Sequence, residues 1–313
     1  MVLVQAVADM CFWSLVLLVA VVSGQPATAA GLEARINAIA AGFRGRIGVF
    51  AKNLESGETV AINADERFPT ASVIKLAVLV EAYQQIEQGK LKASDHLVLH
   101  DSDKVGIGDS GTVNELHDGT ELTIQDLLNL MVVVSDNTAT NLLVGRIGTA
   151  AANARMGTLG LKNTRIFRPT FRDGHPDCCP ELEHEFGLGM STPRDMGILM
   201  ELIATGRAVG SGASKQMFEI LRRQQDTNMI PRRLPGNAGV IVANKTGTDE
   251  EKQPDASGFK GHIHNDVAIV KTPGATWVLA IFTRRGQSPY WTAENEALTT
   301  GAEISKAVYE TWK

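Results

Sequence analysis

The feature that most restricts this chain is where its strand-like sequence falls. RIGVFAKNLESGETVAIN, residues 46–63, alternates around a Glu-Ser-Gly-Glu turn. That pattern predicts a hairpin with strand 46–53, turn 54–57 and strand 58–63. Strand-like sequence then returns only with GVIVANKTGT, NDVAIVK and TWVLAIFTRR, all beyond residue 238. A lone hairpin is marginal in water, so the two ends are expected to meet in one antiparallel sheet.

Between them the pattern is helical. LEARINAIAAGF (32–43) has helical apolar spacing, and a helix follows from the turn at residues 69–72. TIQDLLNLMVVV (123–134) begins with Thr123 and Asp126 in a capping arrangement. NTATNLLVGRIG (137–148) ends at glycine, and TPRDMGILMELIATG (192–206) starts with Pro193 just inside. Residues 100–120 and 163–192 read as loops, and a closing helix runs from about Glu294 to Trp312. The expected class is α/β of the α+β type: a five-stranded antiparallel sheet from the N- and C-terminal segments, flanked by helices, plus an all-helical lobe. Residues 31–313 form one domain, with 31–70 and about 208–313 in the α/β lobe and about 71–207 in the helical lobe.

Residues 1–30 read as a signal peptide. CFWSLVLLVAVVSG is an apolar block, and PATAAG supplies small residues for cleavage. Asp9, and the lack of Lys or Arg in residues 1–10, depart from the usual pattern, so an uncleaved anchor is the alternative. The run is short for a membrane-spanning helix. A periplasmic or secreted protein is expected, without membrane contact beyond this segment. The chain has 313 residues, 44% of them hydrophobic, and a net charge of −5, with no basic run, so nucleic acid is not an expected partner. A monomer is expected. Cys178 and Cys179 are adjacent and cannot staple distant segments.

One residue sits oddly in this scheme. In RFPTASVIKLAVLV, Lys75 stands inside an apolar run, three positions after Ser72. That spacing puts both on one helix face. A buried amine can exist neutral and accept the proton of a neighbouring hydroxyl, making Ser72 a nucleophile. The helix N-terminus favours a developing oxyanion. Spacing alone is weak support, since Ser-x-x-Lys arises about once per chain of this size and Ser257-Gly-Phe-Lys260 is a second copy in a polar loop.

Two tripeptides change the weight. Ser135-Asp136-Asn137 falls at the break between two helices, and Lys245-Thr246-Gly247 at the end of a strand. Together with Ser72-x-x-Lys75, in this order and on these elements, they resemble the penicillin-recognising serine hydrolases, specifically the class A β-lactamases. The likeness extends over RIGVFAKNLESGE, DSDKV, LTIQDLLNLMVVVSDNTATNLL, STPRDM and NDVAIV, nearly the whole of residues 31–313. It implies that Ser72 attacks a lactam carbonyl and that Lys75 accepts or relays its proton. Ser135 then protonates the leaving nitrogen, and Lys245 sets the electrostatics there. Lys245, Thr246 and Thr248 would hold the substrate carboxylate, and Asn137 its side-chain amide. The backbone N–H groups of Ser72 and Thr248 would form the oxyanion hole, and Gly247 would let substrate lie along the strand. Asp136 reads as structural. No cofactor or metal is implied; the partner is a small β-lactam.

The resemblance breaks at one point. The family's deacylating glutamate, typically in Glu-x-x-x-Asn, has no match in residues 163–192. Pro180-Glu181-Leu182-Glu183 is similar to part of that motif, which puts Cys179 at the glutamate's place and makes Glu181 or Glu183 the expected substitute, with Asp173, Asp177 and Glu185 also available. Without such a base the acyl-enzyme would persist. A D,D-peptidase or esterase, or a protein acylated once without turnover, therefore stays open beside a β-lactamase. His262 and His264 alternate on a strand but lack further ligands for a metal. Arg232, Arg233, Arg284 and Arg285 are candidates for an added carboxylate contact. Trp277 reads as core and Trp291 as cover for a strand end.

Overall fold

The two ends of the chain do meet in one sheet. The computed structural model describes residues 29–106 and 111–313; the expected signal peptide lies outside them, apart from its last two residues. The chain opens with α1 (Ala29–Ala40), β1 (Arg46–Asn53), β2 (Thr59–Ile62), β3 (Phe68–Pro69) and α2 (Lys75–Glu87). Next come β4 (His96–Val98), β5 (Glu121–Thr123), α3 (Ile124–Val133), α4 (Asn137–Ile147) and α5 (Thr149–Thr158). They are followed by β6 (Arg165–Ile166), α6 (Pro180–Phe186), β7 (Gly189–Ser191), α7 (Pro193–Ala204) and α8 (Ser211–Leu221). The chain closes with β8 (Ile241–Glu250), β9 (His262–Lys271), β10 (Thr276–Arg284) and α9 (Glu296–Trp312).

The main sheet has the order β2-β1-β10-β9-β8, with antiparallel pairing throughout. β9 and β10 are buried on both faces, which is why they read as near-continuous apolar runs. Val267, Ile269, Val278, Ala280 and Phe282 pack with α2 and its neighbours. Ala268, Val270, Trp277, Leu279 and Ile281 pack on the other face with residues of α1 and α9. Residues Lys75 to Tyr83 of α2 are all buried, the expected position for a helix that is apolar all round. β8 pairs with β9 alone and forms the sheet edge.

Several elements differ from the sequence expectation. The first helix begins at Ala29 rather than residue 32. Helices α5 and α8 form where none was expected. The segment 163–192 is not structureless: β7 pairs with both β3 and β6 in a small sheet, and α6 lies between β6 and β7 in the chain. The capping at Thr123 is as expected, with Thr123 Oγ1 accepting from Asp126 N at 3.0 Å and Asp126 accepting in return from Thr123 N. Gly148, at φ 89°, ends α4 and starts α5.

Candidate active site

Ser72 stands in a 3-10 turn, Ala71–Ile74, that runs directly into α2 at Lys75. This is tighter than the α-helical first turn expected from spacing. The chain enters it through Ala71 at φ 44°, a left-handed conformation that costs a non-glycine residue about 1–2 kcal/mol. Surrounding contacts hold it there. Thr70 N donates to Gly189 O at 2.9 Å, and Asn265 Nδ2 donates to Pro69 O at 2.9 Å and Thr70 O at 3.1 Å. Asn265 thus ties the serine's turn to β9. The sequence reading missed it, although a polar residue at the head of the apolar run NDVAIV is a usable signal.

Lys75 is fully buried. Its Nζ donates to Ser135 O at 2.6 Å, Ser135 Oγ at 3.2 Å and Asn137 Oδ1 at 2.7 Å. The cost of a charge among Ile74, Leu76 and Val78 is offset by these acceptors from the α3–α4 break. Ser135 is left-handed there, at φ 58°. Asp136 supports the break: its carboxylate accepts from Ala139 N, Thr112 N and Val113 N at 2.6–2.8 Å. From the other side Lys245 Nζ donates to Ser135 Oγ at 3.1 Å and Thr246 O at 2.7 Å. Burial lowers the Lys245 pKa to about 8, against the opposing pull of Asp266 and Asp226. Burial likewise raises Asp266 to about 8, although Asn244 Nδ2 and Ile230 N donate to it.

β8 carries the third motif past the serine. A Cβ on Gly247 would fall 2.6 Å from Thr70 O, 2.9 Å from Val73 N and 3.0 Å from Ser72 N. The glycine is therefore required first by the serine's own turn, rather than by a substrate alone. Strand alternation puts Lys245, Gly247 and Asp249 on one face and Thr246 and Thr248 on the other, and residues of both faces line the space at this sheet edge. A cleft of about 840 Å³ brings together Ser72, Ser135, Asn137, Thr246, Gly247 and Thr248, with Phe171 and Trp291 on its walls. Its volume suits a small-molecule site. Trp291, half exposed, stacks on His262 at 3.9 Å; it covers a strand end as expected and also faces the cleft.

A second cavity of about 130 Å³ opens between Ser72 and the 163–192 segment. Thr170, Thr248, Asp249, Asp173, Arg168 and Lys252 line it with the serine. Glu181 and Glu183, the glutamates expected from the local motif, line neither space. Glu183 is buried, with Oε1 2.7 Å from Arg168 Nε, and Glu181 is exposed on the first turn of α6. Cys179, read as the occupant of the glutamate's place, is a free thiol 3.3 Å from Arg165. Asp177 accepts from Thr149 Oγ1, and Glu185 lies 3.7 Å from Arg284. Asp173 contacts Arg168 and lies 2.7 Å from Lys252 Nζ. Burial pushes its carboxyl up, but these two cations hold it below the ordinary range.

The other candidates are engaged elsewhere. Arg284 makes two bonds of 3.1 Å to Glu251. Arg232 pairs with Glu294 and Arg233 with Glu303; Arg285 is exposed at the strand end. His264 is buried, which lowers its pKa to about 4. Among the described residues no group of three or more His, Cys, Asp or Glu could hold a metal ion, and no helix is long and apolar enough to cross a membrane.

Fold and site together define a serine hydrolase. Residues 31–312 match the family model of the beta-lactamase enzyme family. Beta-lactamase L2 of Stenotrophomonas maltophilia is 28% identical over 87% of this chain and 86% of its own. A beta-lactamase from Sphaerobacter thermophilus superposes with a TM-score of 0.74 at 30% identity, covering 90% of this chain and 96% of that one. PBP-A superposes with a TM-score of 0.73 at 25% identity over 89% of this chain and 94% of its own. The chain belongs to the beta-lactamase enzyme family, within the class A serine β-lactamases.

Proposed function

We propose that this protein is an exported hydrolase that opens β-lactam rings through a covalent acyl-enzyme on Ser72. One observation carries the reading: Ser135 Oγ lies 3.2 Å from Lys75 Nζ and 3.1 Å from Lys245 Nζ, in a cleft that Ser72 lines. The serine hydroxyl gives its proton to Lys75 as Oγ bonds to the lactam carbonyl carbon. Backbone N–H groups of Ser72 and Thr248 receive the oxyanion. The ring C–N bond breaks, and Ser135, placed between two lysines, passes a proton to the departing nitrogen. Lys245, Thr246 and Thr248 hold the substrate carboxylate, and Asn137 the side-chain amide.

A second reading, a penicillin-binding protein whose acyl-enzyme persists, is favoured by the ion pairing of Glu183 with Arg168 and the exposure of Glu181. A variant of PBP-A is known as its acyl-enzyme complex with penicillin G. Intact mass followed against time with benzylpenicillin, alongside lactam absorbance, separates the two. Continuing lactam loss with a transient adduct is the expected result, and Ser72→Ala gives neither. Labelling that survives in Ser72→Ala would remove Ser72 as the nucleophile.

A further inference from the structure

The 163–192 segment brings neither of its expected glutamates to the cavity at Ser72, yet a carboxylate from outside that segment does line it. It comes from the strand. Gly247 touches the backbone of Ser72, and residues two apart on a strand share a face about 7 Å apart. Lys245 and Asp249 therefore flank the serine on opposite sides along β8. Lys245 reaches Ser135 Oγ. Asp249 reaches the cavity shared by Ser72, Thr248 and Thr170, which has room for several waters.

Thr170 adds an independent observation. Its backbone is clamped by Asn141, which accepts from Thr170 N at 2.8 Å and donates to Thr170 O at 3.1 Å. Its Oγ1 is buried and has no hydrogen-bond partner among the described residues. An orphan buried hydroxyl costs free energy unless it bonds to water, and this residue lines the cavity.

We propose that Asp249 is the general base of deacylation and that Thr170 positions the water it activates. This rests on the acyl-enzyme proposed above. Asp249 takes a proton from the water as the water oxygen bonds to the ester carbonyl carbon. The bond from that carbon to Ser72 Oγ then breaks, and the proton passes from Asp249 to Oγ. Ester and water become free serine and a carboxylic acid. The competing carboxylate, Asp173, is bound to two cations and is a weak base. The neighbouring Glu250 N donates to Asp249 Oδ1 at 2.8 Å. Burial raises the Asp249 pKa above the ordinary range, which strengthens it as a base.

The test is time-resolved intact mass of the full protein and of Asp249→Asn and Thr170→Val, each mixed with benzylpenicillin. In Asp249→Asn acylation should persist while deacylation falls about 100-fold or more, so that the adduct accumulates. Thr170→Val should acylate normally and deacylate more slowly; retained acylation shows that either variant is folded. An Asp249→Asn protein that turns over like the unaltered one would overturn the assignment and leave the Ser72 mechanism standing. A stable adduct on the unaltered protein would overturn it too, because no base would then be at work. Absence of any adduct and of lactam loss in all three proteins would overturn the Ser72 reading itself, and this assignment with it.

Discussion

Gly247→Ala probes how tightly the strand edge sets Ser72, the proposed nucleophile. The added Cβ meets three backbone atoms, with Thr70 O the nearest at 2.6 Å. Ordinary contact requires the two segments to part by about 0.4–0.8 Å. Neither side yields easily. β8 is held by its full ladder to β9, and the serine's turn is held by Asn265 from that same β9. Forced overpacking of this kind costs about 1–3 kcal/mol. Displacing the serine by even part of an ångström should slow acylation by about 10–100-fold. Stopped-flow acylation by a chromogenic cephalosporin measures the rate, and thermal unfolding measures the stability. Gly157→Ala is the control: its Cβ meets nothing within 4 Å, it lies inside α5, and it should stabilise by about 0.5–1 kcal/mol. If Gly247→Ala acylates within a factor of two of the unaltered protein (a difference of about 0.4 kcal/mol) and unfolds at the same temperature, the rigid-contact argument is wrong.

Two further expectations follow from charge. Lys245 is protonated below about pH 8 and neutral above it, so KM for an anionic lactam should rise as pH climbs through that value; a flat KM there would remove Lys245 as the carboxylate anchor. Arg168→Ala leaves the buried carboxylate of Glu183 without its partner, a loss of about 3–5 kcal/mol. Limited proteolysis should then cut within residues 163–192, and an unchanged cutting pattern would mean the pair does not hold the segment.

The two-ended sheet is legible because alternation and apolar runs survive in β1, β2, β9 and β10 whatever lies between them. The three motifs are legible because each residue type suits its element: serine at a helix start, Ser-Asp-Asn at a helix break, glycine on a close-packed edge. Helix α5 is not, since TAAANARMGT has small side chains and its burial comes through Ala152 and Met156 meeting distant neighbours. Helix α8 did carry a readable stripe at Ala213, Met217, Ile220 and Leu221. Neither Glu181 nor Glu183 lines the cavities at Ser72, and the reason is physical. Local likeness at Pro180–Glu183 says nothing of the path of the segment, which Arg168 and Asn141 fix from elsewhere. Parity along β8 already put Asp249 level with Lys245. Only the contact between Gly247 and the turn shows that this face meets the serine.

The Asn265 latch also bears on how the enzyme comes into being. It joins residues 196 positions apart in the chain, a separation that makes assembly slow and late. Ser72 and Lys75 emerge early during synthesis, but the left-handed entry at Ala71 gains this restraint only once β9 has paired. An incomplete or still-unfolded chain lacks the frame that poises Ser72, the proposed nucleophile. The proposed reactivity of Ser72 would thereby be confined to the finished molecule.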